Sequence, residues 1–113
     1  MCFVNNKYFK SSDKYNIMNT AEYELIDNRE NKHYEINMGN DVAFIEYILS
    51  TGGEIFLTHT EVPKAMEGKG IGSALVLKVL QDIEERNLRL IPLCPFVATY
   101  IKKYPEWRRL IMK

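Results

Sequence analysis

Thr58-His59-Thr60-Glu61-Val62-Pro63, followed by Glu67-Gly68-Lys69-Gly70-Ile71-Gly72, is the stretch that decides how this chain folds. A β-rich run stops at Pro63, a glycine-dense loop follows, and an apolar run with helical spacing extends from Ile71 to Ile83. Glycines at a strand-to-helix junction let backbone N–H groups point into one concavity, because no Cβ blocks the approach. The helix that starts there adds its own unpaired N–H groups and the positive end of its dipole. The combination predicts a cradle for a phosphate or pyrophosphate.

Two familiar phosphate loops do not fit. A Walker loop needs Lys-Ser/Thr after its last glycine, whereas Gly72 is followed by Ser73-Ala74 and Lys69 lies between glycines. A dinucleotide fingerprint needs a third glycine or alanine where Ser73 stands, and an acid near the end of the next strand. That strand, Leu88 to Leu93, runs into Cys94.

Outward from the loop, a strand order emerges. Tyr23 to Ile26 and His33 to Asn37 are short strand-like runs separated by the polar stretch Asp27 to Asn31. Val42 to Leu49 is β-branched and aromatic, with Ala43, Ile45, Tyr47 and Leu49 expected on one face. Ser50-Thr51-Gly52-Gly53 closes a hairpin, and Glu54 to Val62 returns. The helix from Ile71 to about Glu85 presents Ile71, Leu75, Val76, Val79, Leu80 and Ile83 on one broad face, with Lys78, Gln81, Asp82, Glu84 and Glu85 mainly opposite. Asn87 suits a left-handed cap. Pro95 opens a second helix that reaches Tyr104 before Pro105. Strand, helix and strand around the loop imply a right-handed crossover with local parallel pairing.

These motifs carry a family resemblance. Glu67-Gly68-Lys69-Gly70-Ile71-Gly72 resembles the acyl-coenzyme A loop of the Gcn5-related N-acetyltransferase (GNAT) superfamily, Gln/Arg-x-x-Gly-x-Gly/Ala, with Glu67 at the usual Gln or Arg. His59-Thr60-Glu61-Val62-Pro63 before it, and Ile91-Pro92-Leu93-Cys94-Pro95-Phe96-Val97 after the helix, resemble one small branch of short, single-domain acetyltransferase-like proteins. The resemblance spans roughly Tyr34 to Trp107. It implies an α/β fold of minimal GNAT type: a mixed, mostly antiparallel sheet whose C-terminal half runs glycine loop, helix, strand, helix. The expected domain covers residues 21–113, and residues 1–20 are expected to form a tail.

The implied chemistry is direct transfer of an acetyl group from acetyl-coenzyme A (acetyl-CoA) to an amine acceptor. The resemblance assigns backbone contacts with the pantetheine arm to Thr60, Glu61 and Val62. It gives the pyrophosphate to the N–H groups of Gly68, Lys69, Gly70, Ile71 and Gly72, with Ser73. Glu67 would repel a pyrophosphate unless turned outward, and Lys64 or Lys69 is placed to offset it. His59 and Glu61 share one side of their strand, and either suits the relay of the amine proton. Alternatively, His59 makes a structural hydrogen bond and Glu61 faces solvent.

Cys94 stands just before a Pro-started helix, where the dipole favours a thiolate. A dipole effect of ~0.3–1 kcal/mol is too small alone, so activation needs a partner such as His59. A small buried thiol is the alternative. Tyr100 is a candidate general acid from the resemblance, although Ile101 occupies the expected position and one residue is about 100° of helix rotation. Typical GNAT members continue with two more strands, whereas about eight residues follow the last helix here. The acceptor side is then open or completed by a second subunit, so a monomer or a homodimer is expected. Two rival functions remain: a non-catalytic coenzyme-binding or interaction module, and Cys94-dependent acyl transfer.

Bulk properties exclude other classes. The 113 residues make one domain, and 46% apolar with 27% charged residues is ordinary for a globule. Zero net charge gives no argument for nucleic acid. No run approaches a membrane span. The start lacks a signal core. Cys2, His33, His59 and Cys94 have no zinc-like spacing, and two cysteines suggest a reducing cytoplasm rather than a disulfide framework.

Overall fold

The structure, a computed structural model, describes residues 23–68 and 70–112. The expected N-terminal tail, Cys2 and Lys69 lie outside the described residues. Five strands form one sheet in the order of the chain: β1 (Leu25–Asn28), β2 (His33–Met38), β3 (Asp41–Leu49), β4 (Glu54–Glu61) and β5 (Arg89–Pro92). The first four pair antiparallel, and β4 pairs parallel with β5. Helix α1 (Ile71–Glu85) makes the crossover, and α2 (Pro95–Lys103) follows β5. The expected mixed, mostly antiparallel α/β sheet is what the chain forms.

Strand β1 begins and ends two residues later than the periodicity suggested. Asp27 and Asn28, read as turn residues, pair with Tyr34 and His33. Their side chains explain this. Asp27 Oδ1 accepts the Tyr47 hydroxyl at 2.7 Å, and Asn28 donates to Glu35 Oε2 at 3.0 Å. Leu49, expected on the buried face with Ala43, Ile45 and Tyr47, is 43% exposed. It lies immediately before the Ser50–Gly53 turn, although its cross-strand partner Ile55 is fully buried.

Helix α1 starts and stops where the sequence placed it, with Asn87 at φ 57° beyond its C-terminus. Its buried surface is broader than the six-residue face expected, because Ala74, Leu77, Lys78 and Gln81 are buried too. The helix packs on the sheet on one side and meets α2 and a C-terminal 3-10 turn, Pro105–Leu110, as well. That turn supplies Trp107 and Leu110 to the core. Arg109 secures it: its guanidinium lies 4.7 Å over the Trp107 ring and bonds Glu84 Oε2 of α1 at 2.6 and 2.8 Å.

A polar network ties α1 to β1, β2 and β3. Tyr34 donates to Asp82 Oδ2 at 2.6 Å, and Arg86 donates to the Tyr34 hydroxyl at 2.9 Å. Arg86 also lies 3.5 Å from Asp27. Burial, then the hydrogen bond to Asp27, pushes the Tyr47 phenol up to about 12. Burial and Asp82 push Tyr34 up further. Above the ordinary tyrosine range, near 10, the unfolded chain loses these protons first and so binds fewer than the folded chain. Stability then falls as pH rises. Urea unfolding at pH 9, 10, 11 and 12 is expected to show a midpoint that declines from about pH 10 upward. A Tyr34→Phe, Tyr47→Phe double variant is less stable at pH 9 and declines less steeply.

Candidate functional site

The site is built by a defect in β4. Glu46 lies opposite His59, but Tyr47 lies opposite Leu57, so Thr58 is an extra residue with no partner on β3. A bulge of this kind shifts every later side chain to the other face. Ile55 and Leu57 are buried in the core. Unbroken alternation would send His59 and Glu61 after them. Instead Thr60 faces inward, opposite the buried Ile45, while His59 and Glu61 are exposed on the outer face.

The bulge also marks where β4 and β5 part. Their pairing ends at Leu57 and Pro92, and the Leu57 carbonyl takes both the Leu93 N–H at 3.0 Å and the Cys94 N–H at 2.9 Å. Beyond this point the β5-side edge of β4, from Thr58 to Glu61, has no strand partner among the described residues. Pro95 begins α2 with Cys94 as its extended N-cap residue. A wedge therefore opens between β4 and the start of α2.

The glycine loop closes the bottom of that wedge. A cleft of about 580 Å³ is lined by Thr60, Glu61, Val62, Met66, Glu67, Gly68, Gly70, Ile71, Gly72, Ser73 and Phe96. Gly68 and Gly70 have φ of 81° and 76°, and space is open where a Cβ would stand. Their need for glycine is conformational. Gly72 differs: a Cβ there would lie 2.8 Å from Phe96 Cζ. Its need is steric, because the Phe96 ring packs directly on the first turn of α1.

Gly70 is the N-cap of α1, with no side-chain cap bond and no acid in the first turn. The first N–H groups of the helix have no acceptor within it, and no carboxylate of that turn offsets the dipole. Glu67 lines the cleft and is exposed. An anion in this cleft would be held by backbone N–H groups and the helix terminus.

The expected catalytic side chains fall into three separate places. His59 Nε2 lies 2.7 Å from Glu61 Oε1 on the exposed face. Phe44 stands beside His59, with ring centroids 6.3 Å apart. Cys94, a free and buried thiol, lies 3.0 Å from Thr60 Oγ1 at the inner side of the wedge. The bulge thus gives Cys94 a threonine hydroxyl for a neighbour and leaves the His59–Glu61 pair on the outer face. Tyr100 is buried among the core side chains and packs on Tyr104 at 4.8 Å. Two contributors carried no role in the sequence reading. Phe96 was legible only as part of the Ile91–Val97 motif at the start of a Pro-started helix, and Thr58 only as one more β-former. The chemistry of a bulge has no signal in a single strand's pattern.

The model of the family described as GCN5-related N-acetyltransferase matches residues 33–110. The chain belongs to this family. The match begins at β2 and takes in the bulged strand, the glycine loop, α1, β5, α2 and the 3-10 turn, so the whole cleft lies inside it. Among curated proteins the chain is similar to Protein NATD1. It is 27% identical to the Xenopus tropicalis protein over 79 residues, covering 68% of this chain and 72% of that one. Against the Mus musculus protein it is 28% identical over the same length and coverage. Against the Homo sapiens protein it is 31% identical over 70 residues, covering 62% of each. As a GCN5-related N-acetyltransferase family member, the chain has its glycine loop and the splayed β4 edge on the same cleft. Among the described residues there is no cluster of side chains fit to hold a metal ion, and no helix is long and apolar enough to cross a membrane.

Proposed function

We propose that the chain binds acetyl-CoA in the β4–α1 cleft and transfers the acetyl group directly to an amine. The observation that carries this reading is the junction of two features on one cleft. The left-handed glycines and uncapped α1 terminus suit a pyrophosphate, and the unpaired edge of β4 suits an extended amide-bearing arm such as pantetheine. Gly68, Lys69, Gly70, Ile71, Gly72 and Ser73 hold the phosphates, and Thr60 and Val62 meet the arm through their backbone. Phe96 covers the loop side of the arm and narrows its access to water.

The step balances without a cofactor beyond the donor. The amine nitrogen attacks the thioester carbonyl carbon, a C–N bond forms, and the C–S bond breaks. The amine's proton passes to the His59–Glu61 pair, and the coenzyme leaves as a thiolate that takes a proton from solvent or from the thiol of Cys94. Glu61 Oε1, 2.7 Å from His59 Nε2, orients the imidazole toward the incoming amine. The exposed face at His59 is where the amine arrives. A soluble, cytoplasmic protein, monomeric or homodimeric, with Cys94 kept as a free thiol, fits this chemistry.

Thr60 Oγ1 at 3.0 Å from Cys94 Sγ keeps a covalent route in view. Brief mixing with acetyl-CoA alone, followed by intact-protein mass spectrometry and peptide mapping, separates the routes. Direct transfer predicts no acetyl adduct at Cys94. It also predicts substantial remaining rate in Cys94→Ala and a loss of roughly 10²-fold or more in a His59→Ala, Glu61→Ala double variant. A stoichiometric adduct on Cys94 that an added amine discharges overturns direct transfer. Tight coenzyme binding with no transfer to any amine in a broad panel would identify a non-catalytic binding module instead.

A further inference from the structure

The extra residue of β4 carries a side chain that holds the irregularity in place. Thr58 Oγ1 lies 3.2 Å from the Glu46 backbone carbonyl and 3.2 Å from Glu46 Oε1. Both acceptors belong to the residue opposite His59, at the last regular pair before the register shifts. We propose that Thr58 is a positioning residue for acetyl transfer. Its hydroxyl clamps the bulge, and the bulge decides which β4 side chains meet the amine and which meet the thioester. This inference rests on the reading that β4 carries the reacting groups.

The physical chain is short. An extra residue disrupts the ladder between β3 and β4 and leaves the strand free to relax toward even alternation. A one-residue relaxation exchanges the two faces. His59 and Glu61 would then turn toward Ile45 and the core, and Thr60 would leave Cys94 for solvent. A hydroxyl donated to a β3 carbonyl at the break supplies a hydrogen bond that only the bulged register can make. The same hydroxyl lies 3.2 Å from Glu46 Oε1, on the outer face shared with the His59–Glu61 pair, which sets a second carboxylate beside that of Glu61 on the amine's approach. The glycine loop lies after Pro63 and outside this stretch, so the pyrophosphate contacts, unlike the arm contacts of Thr60 and Val62, do not depend on the phase of β4.

The test uses the full chain and two substitutions. Thr58→Val keeps the β-branched volume and removes the donor, and Thr58→Ser restores the hydroxyl. Transfer from acetyl-CoA to spermidine, an arylamine and a lysine peptide is followed by release of the coenzyme thiol. Thr58→Val is expected to keep its coenzyme KM within about twofold and to lose roughly fivefold to tenfold in kcat, the scale of one hydrogen bond. Thr58→Ser is expected to recover most of that loss. If Thr58→Val does not fold, Thr58→Ala takes its place with the same expectation.

A second readout does not need turnover. Proton–proton NMR contacts between the His59 and Phe44 rings, and between Thr60 and Cys94, are expected in the wild type and Thr58→Ser and weakened in Thr58→Val. Full kcat with unchanged contacts in Thr58→Val overturns the clamp. So does a loss that Thr58→Ser does not recover, or an equal loss of coenzyme affinity, since either would mark a general structural role. A wild type that transfers to none of the amines refutes the acetyl-transfer reading, and with it the positioning role. The NMR contacts then still report whether Thr58 holds the bulge.

Discussion

Gly70→Glu is expected to abolish the stabilisation that acetyl-CoA gives the folded chain. At a concentration 100 times its dissociation constant, a ligand that binds only the folded state adds roughly 2.7 kcal/mol. That whole increment should vanish. Gly70 has φ of 76° and caps α1, with open space where a Cβ would stand. Two effects of the substitution oppose each other in the free protein. A non-glycine residue in this left-handed conformation costs ~1–3 kcal/mol, while a carboxylate at a helix N-terminus returns ~0.3–1 kcal/mol. With ligand they act together, because the same carboxylate occupies and repels the pyrophosphate position. Gly70→Ala carries the backbone cost without the charge, so it should weaken binding far less. Thermal melts of the three proteins with and without acetyl-CoA, checked for folding by circular dichroism, measure both effects. Equal ligand shifts in Gly70→Glu and the wild type would place the coenzyme elsewhere.

The largest stability effect is expected at the C-terminal turn. Trp107 is buried and pinned beneath the Arg109 guanidinium, and Leu110 beside it is buried as well. Truncating a buried tryptophan to alanine costs ~3–5 kcal/mol. In a domain of this size that lowers the melting temperature by roughly 15–30 °C. Met112, at 79% exposure, is the control, and Met112→Ala should change stability by less than about 0.5 kcal/mol. Thermal unfolding of the two variants compares them. A small effect at Trp107 would mean that the turn is an appendage rather than part of the core.

These two sites show what a sequence makes legible. The loop and α1 could be read because glycine spacing, a stop at Pro63 and a 3.6-residue apolar period each point to the same junction. The β3–β4 hairpin and the Pro-started α2 were readable for similar local reasons. Trp107 and Leu110 were not. Six residues of 3-10 turn are too few to show a period, and Lys102, Lys103, Arg108 and Arg109 dominate the composition around them, a pattern that by itself indicates a solvated face. Arg109 is instead held by Glu84, a partner 25 positions away. The breadth of α1's buried surface was hidden for the same reason, since its second contact surface comes from that turn.

The site divides along the same line. That His59 and Glu61 share a side of β4 followed from a period of two, and they do meet at 2.7 Å. Which side they share depended on Thr58, whose status as an extra residue exists only in its pairing with β3. Activation of Cys94 needs a partner such as His59, which an unbroken strand would turn toward the core. The bulge separates them and pairs Cys94 with Thr60. Phe96 contributes through the ring it lays on Gly72, a contact between two helices that no local pattern encodes.

Binding of acetyl-CoA in the β4–α1 cleft is tested most directly by a ¹H–¹⁵N NMR titration of the full chain with acetyl-CoA, and with ATP and NAD in parallel. The expected result is a saturable set of amide shifts with acetyl-CoA, centred on Thr60, Val62, Gly68, Gly70, Gly72, Ser73 and Phe96, that ATP and NAD do not reproduce. Shifts of equal size with all three ligands, shifts centred away from these residues, or no saturable response to acetyl-CoA would contradict it.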